Sequence, residues 1–213
     1  MVFELRQENT IGNRYLAELR DIEIQKDPLR FRFNLERLGE ILGFEISKDL
    51  GYIEQTATTP LGKWTAKVPD NNNVLVTVLR AGLPFFNGFQ RVFDQAPSGF
   101  VGAQRVESDN IEIDLGYSAV GNLENKVVIL ADPMLATGKS VVETIRAICK
   151  NGKPKFIHIA SVIATKEGIK EIETQISTPF KIWTCSIDLR LNENSYIVPG
   201  LGDAGDLCYG EKL

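Results

Sequence analysis

A doubly wound, mostly parallel α/β sheet is the fold class that this sequence predicts, on two observations. Four short apolar runs, 74–79, 127–131, 156–164 and 182–187, are continuous rather than alternating, as in strands buried on both faces. A helical spacing of apolar residues follows each of the first three, and strand–helix alternation implies right-handed crossovers.

The elements follow in order. In the first third, Asp27-Pro28 is an N-cap and first-turn pair, and Phe31, Leu35, Leu38 and Leu42 recur at helical spacing after it. An earlier and weaker helical pattern holds Leu16, Leu19 and Glu23. The stretch 51–68 is polar, β-branched and turn-rich, which predicts a hairpin or extended arm. Asp70 to Asn73 is a turn signal. After the first apolar run, Phe85, Phe89 and Val92 share a helical face. Val142, Ile145, Ile148 and Cys149 do so after the second, and Ile169, Ile172 and Ile176 after the third. Between them, 99–120 holds two partly alternating runs about Asp109-Asn110, which predicts a protruding β-hairpin. No boundary divides the chain, so one domain over 1–213 is expected, with helices and arm in 1–73 and the binding core in 74–213.

Composition narrows the function. The 213 residues are 43% hydrophobic and 24% charged, enough apolar content for a core. The net charge of −4, without a basic run, argues against a nucleic-acid binder. The three cysteines, Cys149, Cys185 and Cys208, match no zinc spacing and read as free thiols. The single histidine, His158, lies in an apolar run and reads as a core residue, which leaves no histidine for a catalytic triad. The charged N-terminus carries no signal or transit pattern, and no apolar run reaches the ~18 residues of a membrane span. A cytoplasmic protein is expected, with no membrane partner.

Three loops at the carboxyl ends of the apolar runs hold the chemistry, since open α/β sheets bind ligands there. The first is Asp132, Pro133, Met134, Leu135, Ala136, Thr137, Gly138, Lys139 and Ser140. It follows a strand and opens a helix. Small residues at Ala136 and Gly138 let backbone N–H groups turn to an anion, Thr137 and Ser140 add hydroxyls, and the helix start adds its dipole. Thr-Gly-Lys-Ser resembles the end of a Walker A loop, but Pro133 stands where that motif requires glycine, which argues against a triphosphatase. A carboxylate at Asp132 can accept two hydrogen bonds from vicinal hydroxyls, so acid and cradle together suggest a sugar phosphate.

The segment 131–140, ADPMLATGKS, resembles the phosphoribosyl-pyrophosphate (PRPP) signature of the type I phosphoribosyltransferases, and more narrowly that of the uracil phosphoribosyltransferases, which share its Asp-Pro. The second loop, Leu79-Arg80-Ala81-Gly82, is similar to the family's PRPP-contacting segment, and an arginine at a strand end can fork to pyrophosphate. Arg105 matches a second PRPP-contacting arginine in the family's hairpin, although Gln104 replaces an aromatic residue there. The third loop, 196–206 (YIVPGLGDAGD), resembles the family's uracil-binding loop. Tyr196, Ile197, Gly202, Asp203 and Ala204 are its candidate base contacts. Backbone groups near Ile197, Gly202 and Ala204 can complement the acceptor–donor–acceptor edge of uracil. Cytosine would leave buried groups unpaired there, at about 1–3 kcal/mol each.

The resemblance implies a type I phosphoribosyltransferase-like fold with a C-terminal base-binding loop, and transfer of ribose 5-phosphate from PRPP to N1 of uracil. It implies PRPP contacts along 132–140 and at Arg80, Arg105 and Asp203, with Asp132, Asp203 and Arg105 as catalytic candidates. It implies Mg²⁺ as cofactor, met by Asp203 indirectly through PRPP, and a homo-oligomer, dimer or tetramer. It leaves open whether GTP is an effector. Two departures stand out: Lys139 where the family has a small residue, expected to face solvent, and Thr165-Lys166-Glu167-Gly168 in place of a more apolar segment. The alternatives are a phosphoribosyltransferase for another base, and a non-catalytic nucleotide-sensing or RNA-binding regulator on the same fold.

Overall fold

The computed structural model describes residues 1–106 and 112–211, and side chains for all of these except 103–115. The N-terminal part runs from strand β1 (Val2–Glu4) through helices α1 (Gly12–Arg20) and α2 (Pro28–Ser47) to the hairpin strands β2 (Tyr52–Thr59) and β3 (Gly62–Pro69). There follow β4 (Asn73–Leu79), α3 (Gly82–Val92), β5 (Ser98–Val106), β6 (Glu112–Ala119), β7 (Val127–Ala131) and β8 (Met134–Leu135). The chain closes with α4 (Lys139–Ile148), β9 (Phe156–Thr165), α5 (Lys166–Gln175), β10 (Phe180–Asp188), β11 (Arg190–Leu191), β12 (Ile197–Val198) and α6 (Ala204–Tyr209).

The main sheet has the order β1-β10-β9-β7-β4-β5-β6, with β8 beside β9. Every pairing is parallel except β5 with β6. The four apolar runs became β4, β7, β9 and β10. Alternate residues of these strands feed two separate cores. Leu75, Ile129 and Ala160 join α1, α2 and α3 on one face. Val76, Leu130 and Ile159 join α4 and α5 on the other. That is the doubly wound arrangement the sequence predicts.

Local signals account for the helices. Asp27 caps α2, its Oδ1 accepting from the N–H groups of Leu29 at 2.9 Å and Arg30 at 3.2 Å, with Pro28 in the first turn. Phe31, Leu35, Leu38 and Leu42 are all buried. Glu18 of α1 fastens α1 to α2: it receives hydrogen bonds from Arg30 at 2.9 Å and from Asn34 at 2.8 Å. Both strands of the β2–β3 hairpin pair only with each other and lie largely in solvent.

Several details differ from the sequence reading. The expected hairpin is present as antiparallel β5 and β6, but its first strand is also part of the main sheet, since β5 pairs in parallel with β4, Leu79 opposite Gly102. The turn at Asp109-Asn110 lies outside the described residues. Glu23 falls beyond α1, Val92 is partly exposed, and Cys149 and Ile176 lie past the ends of α4 and α5. α1 ends three residues before Glu23, α4 and α5 end one residue before Cys149 and Ile176, and Val92 is the last residue of α3. His158 is buried, as expected, and its Nδ1 accepts the Trp183 indole N–H at 3.0 Å. The three cysteines are free. No helix among the described residues is long and apolar enough to cross a membrane.

Candidate active site

Strand order places the site. β4, β5, β7, β9 and β10 stand in the order second-first-third-fourth-fifth, so the chain reverses its direction of growth between β4 and β7. Ligands bind outside the carboxyl ends of the strands at such a switch point. The Arg80 loop leaves β4 there and the 132–140 loop leaves β7 beside it. A Cβ at Gly82 would lie 2.3 Å from Thr77 Oγ1, itself bonded to Ala131 O at 2.9 Å, so the two loops start in contact.

The 132–140 loop has an ordered frame. The Asp132 N–H bonds to Ala160 O at 3.0 Å, and the Pro133 carbonyl accepts from Val162 and Ile163. β8 then keeps Met134 and Leu135 on the edge of β9. Pro133 and Leu135 are buried, so they can offer a ligand only main chain. Asp132 is half-buried, and its Oδ1 accepts the Met134 N–H at 3.1 Å. Ala136, Thr137 and Ser140 are half-buried, whereas Lys139 is exposed, as expected of a first-turn side chain. Gly138 has φ +80 and stands at the cap of α4, where no side chain caps the helix. The first N–H groups of α4 are therefore donors for an anion.

The segment Thr165–Gly168 fastens this loop. Thr165 Oγ1 donates to Ala136 O at 2.7 Å and accepts the Gly168 N–H at 2.9 Å, capping α5. A Cβ at Gly168 would sit 2.3 Å from Ala136 O, and one at Gly138 2.6 Å from Gly168 O. Only glycine allows that approach.

Arg80 links the switch point to the C-terminal loop. Its Nη2 lies 3.2 Å from Asp206 Oδ1, and both side chains are about two-fifths exposed (40% and 42%). Asp203 caps α6 through Oδ1, which accepts from Gly205 at 2.8 Å and Asp206 at 3.0 Å. Ile197 and Ala204 are buried, while Tyr196, Gly202 and Asp203 are exposed. Gly200 has φ +64, and a Cβ there would meet Ile197 O at 2.1 Å, so the turn into 201–206 requires glycine. Arg32 of α2 docks α6 from behind, donating to Cys208 O at 2.6 Å. Arg105 lies on β5, but its side chain and that of Gln104 are outside the described residues.

The site thus gathers the Arg80 loop, the Asp132 loop and the 203–206 segment at one end of the sheet. The sequence reading noted Thr165-Lys166-Glu167-Gly168 only as a departure and gave no role in the site to Asp206, Thr165 or Gly168. Asp206 sits three positions beyond Asp203 in a motif already recognised, and Thr165 occupies the cap position of a helix, so both carried a local signal. Burial pushes the Cys208 thiol up to about 12 and raises those of Cys185 and Cys149, so none is a thiolate at neutral pH. Among the described residues no group of three His, Cys, Asp or Glu could hold a metal ion.

Comparison with known proteins identifies the family. The family model described as uracil phosphoribosyltransferase matches residues 8–211. The chain is 47% identical over 214 residues to a uracil phosphoribosyltransferase of Porphyromonas gingivalis, covering 100% of this chain and 99% of that one. It is 38% identical over 201 residues to the uracil phosphoribosyltransferase of Thermococcus gammatolerans, covering 93% of this chain and 88% of that one. Among solved structures, the AQ2163 protein of Aquifex aeolicus superposes with a TM-score of 0.89 at 33% identity, over 99% of this chain and 98% of that one.

Proposed function

Since the chain belongs to the uracil phosphoribosyltransferase family, we propose that it transfers ribose 5-phosphate from PRPP to N1 of uracil, giving uridine 5′-monophosphate and pyrophosphate in pyrimidine salvage. The observation that carries this reading onto the chain's own residues is the Arg80–Asp206 contact at 3.2 Å, which sets an anion-binding arginine beside the proposed base loop.

The residues divide the work. The N–H groups at the start of α4, with Thr137 and Ser140, hold the 5′-phosphate. Asp132 accepts hydrogen bonds from the ribose hydroxyls. Arg80 and Arg105 fork to the pyrophosphate. The C1–oxygen bond to pyrophosphate breaks, C1 becomes cationic, and N1 of uracil bonds to it with loss of the N1 proton. Stabilising the charge on the departing pyrophosphate lowers that barrier. Uracil then needs placement more than a strong base, and the backbone of Ile197, Gly202 and Ala204 supplies it. Mg²⁺ carried by PRPP would neutralise part of the pyrophosphate charge. Asp203, exposed and with Oδ1 occupied by its own cap, is the residue that would face that ion.

The exposed β2–β3 arm supports a homo-oligomer. A two-stranded hairpin alone is marginal in water, and this one presents Ile53 and Trp64 to solvent. A second copy of the chain would cover them, and light scattering on a protein lacking 52–69 tests this: loss of the oligomer is expected. The catalytic reading is tested by incubating the protein with PRPP, uracil and Mg²⁺. Uridine 5′-monophosphate should form, and chelation of Mg²⁺ should stop it. No product in the complete mixture would overturn the reading.

A further inference from the structure

The end of α1 reaches across the molecule to the proposed base loop. Arg20 is the last residue of α1. Its Nη1 and Nη2 each lie 2.7 Å from an oxygen of Asp188, and Nη1 also donates to the Gly200 carbonyl at 3.0 Å. Asp188 Oδ2 in turn accepts the Gly200 N–H at 2.9 Å, and Oδ1 accepts the Ser186 hydroxyl at 3.0 Å. One ion pair therefore holds both polar groups of the Gly200 main chain. The pair is sequestered, with the Asp188 side chain 3% exposed and that of Arg20 20%.

Position gives the pair its meaning. Asp188 ends β10, and Gly200 follows twelve positions later. Between them the chain folds out as β11 and β12, carrying Tyr196 and Ile197. After Gly200 it enters 201–204, whose backbone is proposed to face the base. The pair thus closes the base of this flap and sets the direction of the next four residues. Gln25 acts at the adjoining peptide: with its NH₂ turned to donate, it reaches Leu201 O at 2.7 Å. A guanidinium can give a carboxylate two parallel N–H bonds from its planar fork and serve a carbonyl besides, a geometry the single ammonium nitrogen of lysine lacks. Fastening α1 does not require the pair, since Leu16 and Leu19 already seat that helix in the core.

We propose that Arg20 and Asp188 are positioning residues for the nucleobase: they hold the Gly200 peptide, and so the backbone of 201–204, without touching substrate. The proposal rests on the reading of 196–206 as the base loop. It separates from a purely structural role because uracil, met by the backbone of 201–204, should feel a loosened flap more than PRPP, whose proposed contacts apart from Asp203 lie elsewhere.

The test is steady-state kinetics of Arg20→Met, Arg20→Lys and Asp188→Asn, with uracil and PRPP varied separately, below the thermal midpoint of each variant. The expected result for Arg20→Met is a rise in KM for uracil of about tenfold or more, with a rise in KM for PRPP at least about threefold smaller, since of its proposed contacts only Asp203 lies in 201–204. Arg20→Lys, which keeps the charge and loses the fork, should fall between. Should Arg20→Met or Asp188→Asn not fold, Arg20→Lys carries the same comparison. Equal rises in both KM values, a change confined to kcat, or no change would overturn the proposal. A wild-type protein inert with uracil would instead overturn the base assignment, and the proposal with it.

Discussion

The Thr165 hydroxyl donates to the Ala136 carbonyl at 2.7 Å while accepting the Gly168 N–H at 2.9 Å, so one side chain caps α5 and fixes the proposed phosphate loop. Thr165→Val keeps the shape and removes both bonds inside a buried site. It should cost about 1–3 kcal/mol of stability and raise KM for PRPP more than KM for uracil. Denaturant unfolding and two-substrate kinetics check this; unchanged stability would contradict the role.

Gly168→Ala tests the same junction by volume. Its Cβ would stand 2.3 Å from Ala136 O, backbone that cannot swing aside without moving the loop. A displacement of about 1 Å at a reacting group costs on the order of 100-fold. A loss of that size in kcat/KM for PRPP is expected, and wild-type kinetics would show that the loop does not bind it.

Asp203→Asn separates capping from chemistry. Asparagine caps a helix about as well as aspartate, so stability should change by less than about 0.5 kcal/mol. The charge proposed to face the pyrophosphate disappears, and kcat/KM should fall by about 100-fold or more. An unaffected rate would remove Asp203 from the catalytic residues.

Acid should destabilise the protein through two buried groups. Burial lowers the His158 pKa from 6.5 to about 4, with Lys181 adding to the shift and Asp49 opposing it. Between those values the unfolded chain binds a proton that the folded chain does not. Stability is therefore full above pH 6.5 and falls toward pH 4, by up to about 1.4 kcal/mol per unit. Hydrogen bonds from Arg30 and Asn34 hold Glu18 at about 2 against a usual 4.5, so its contribution is present above 4.5 and is lost as pH falls through 2. Unfolding measured from pH 7.5 to 4 should show the upper step, and His158→Gln should flatten it.

Much of this was legible because its causes are local. Runs such as VVILA report burial on both faces, Asp27-Pro28 reports a helix start, and the spacing of the 132–140 and 196–206 loops reports close backbone approach. The parts that were not legible depend on partners distant in the chain. β1 is three residues long and is a strand only because β10 lies beside it. The first half of β5 reads as half of a hairpin until β4 is known to flank it. Arg20 and Asp188 are 168 positions apart, and no spacing rule connects them. Lys139, which the sequence reading marked as a departure, lies exposed in the first turn of α4, as expected there.

The most direct test of the central claim is pyrophosphate release from PRPP and Mg²⁺ with uracil, cytosine, orotate, hypoxanthine or guanine supplied in turn. Backbone recognition of the uracil edge predicts release with uracil at least about 100-fold faster than with any other base. No release with uracil, or faster release with a purine, would contradict it.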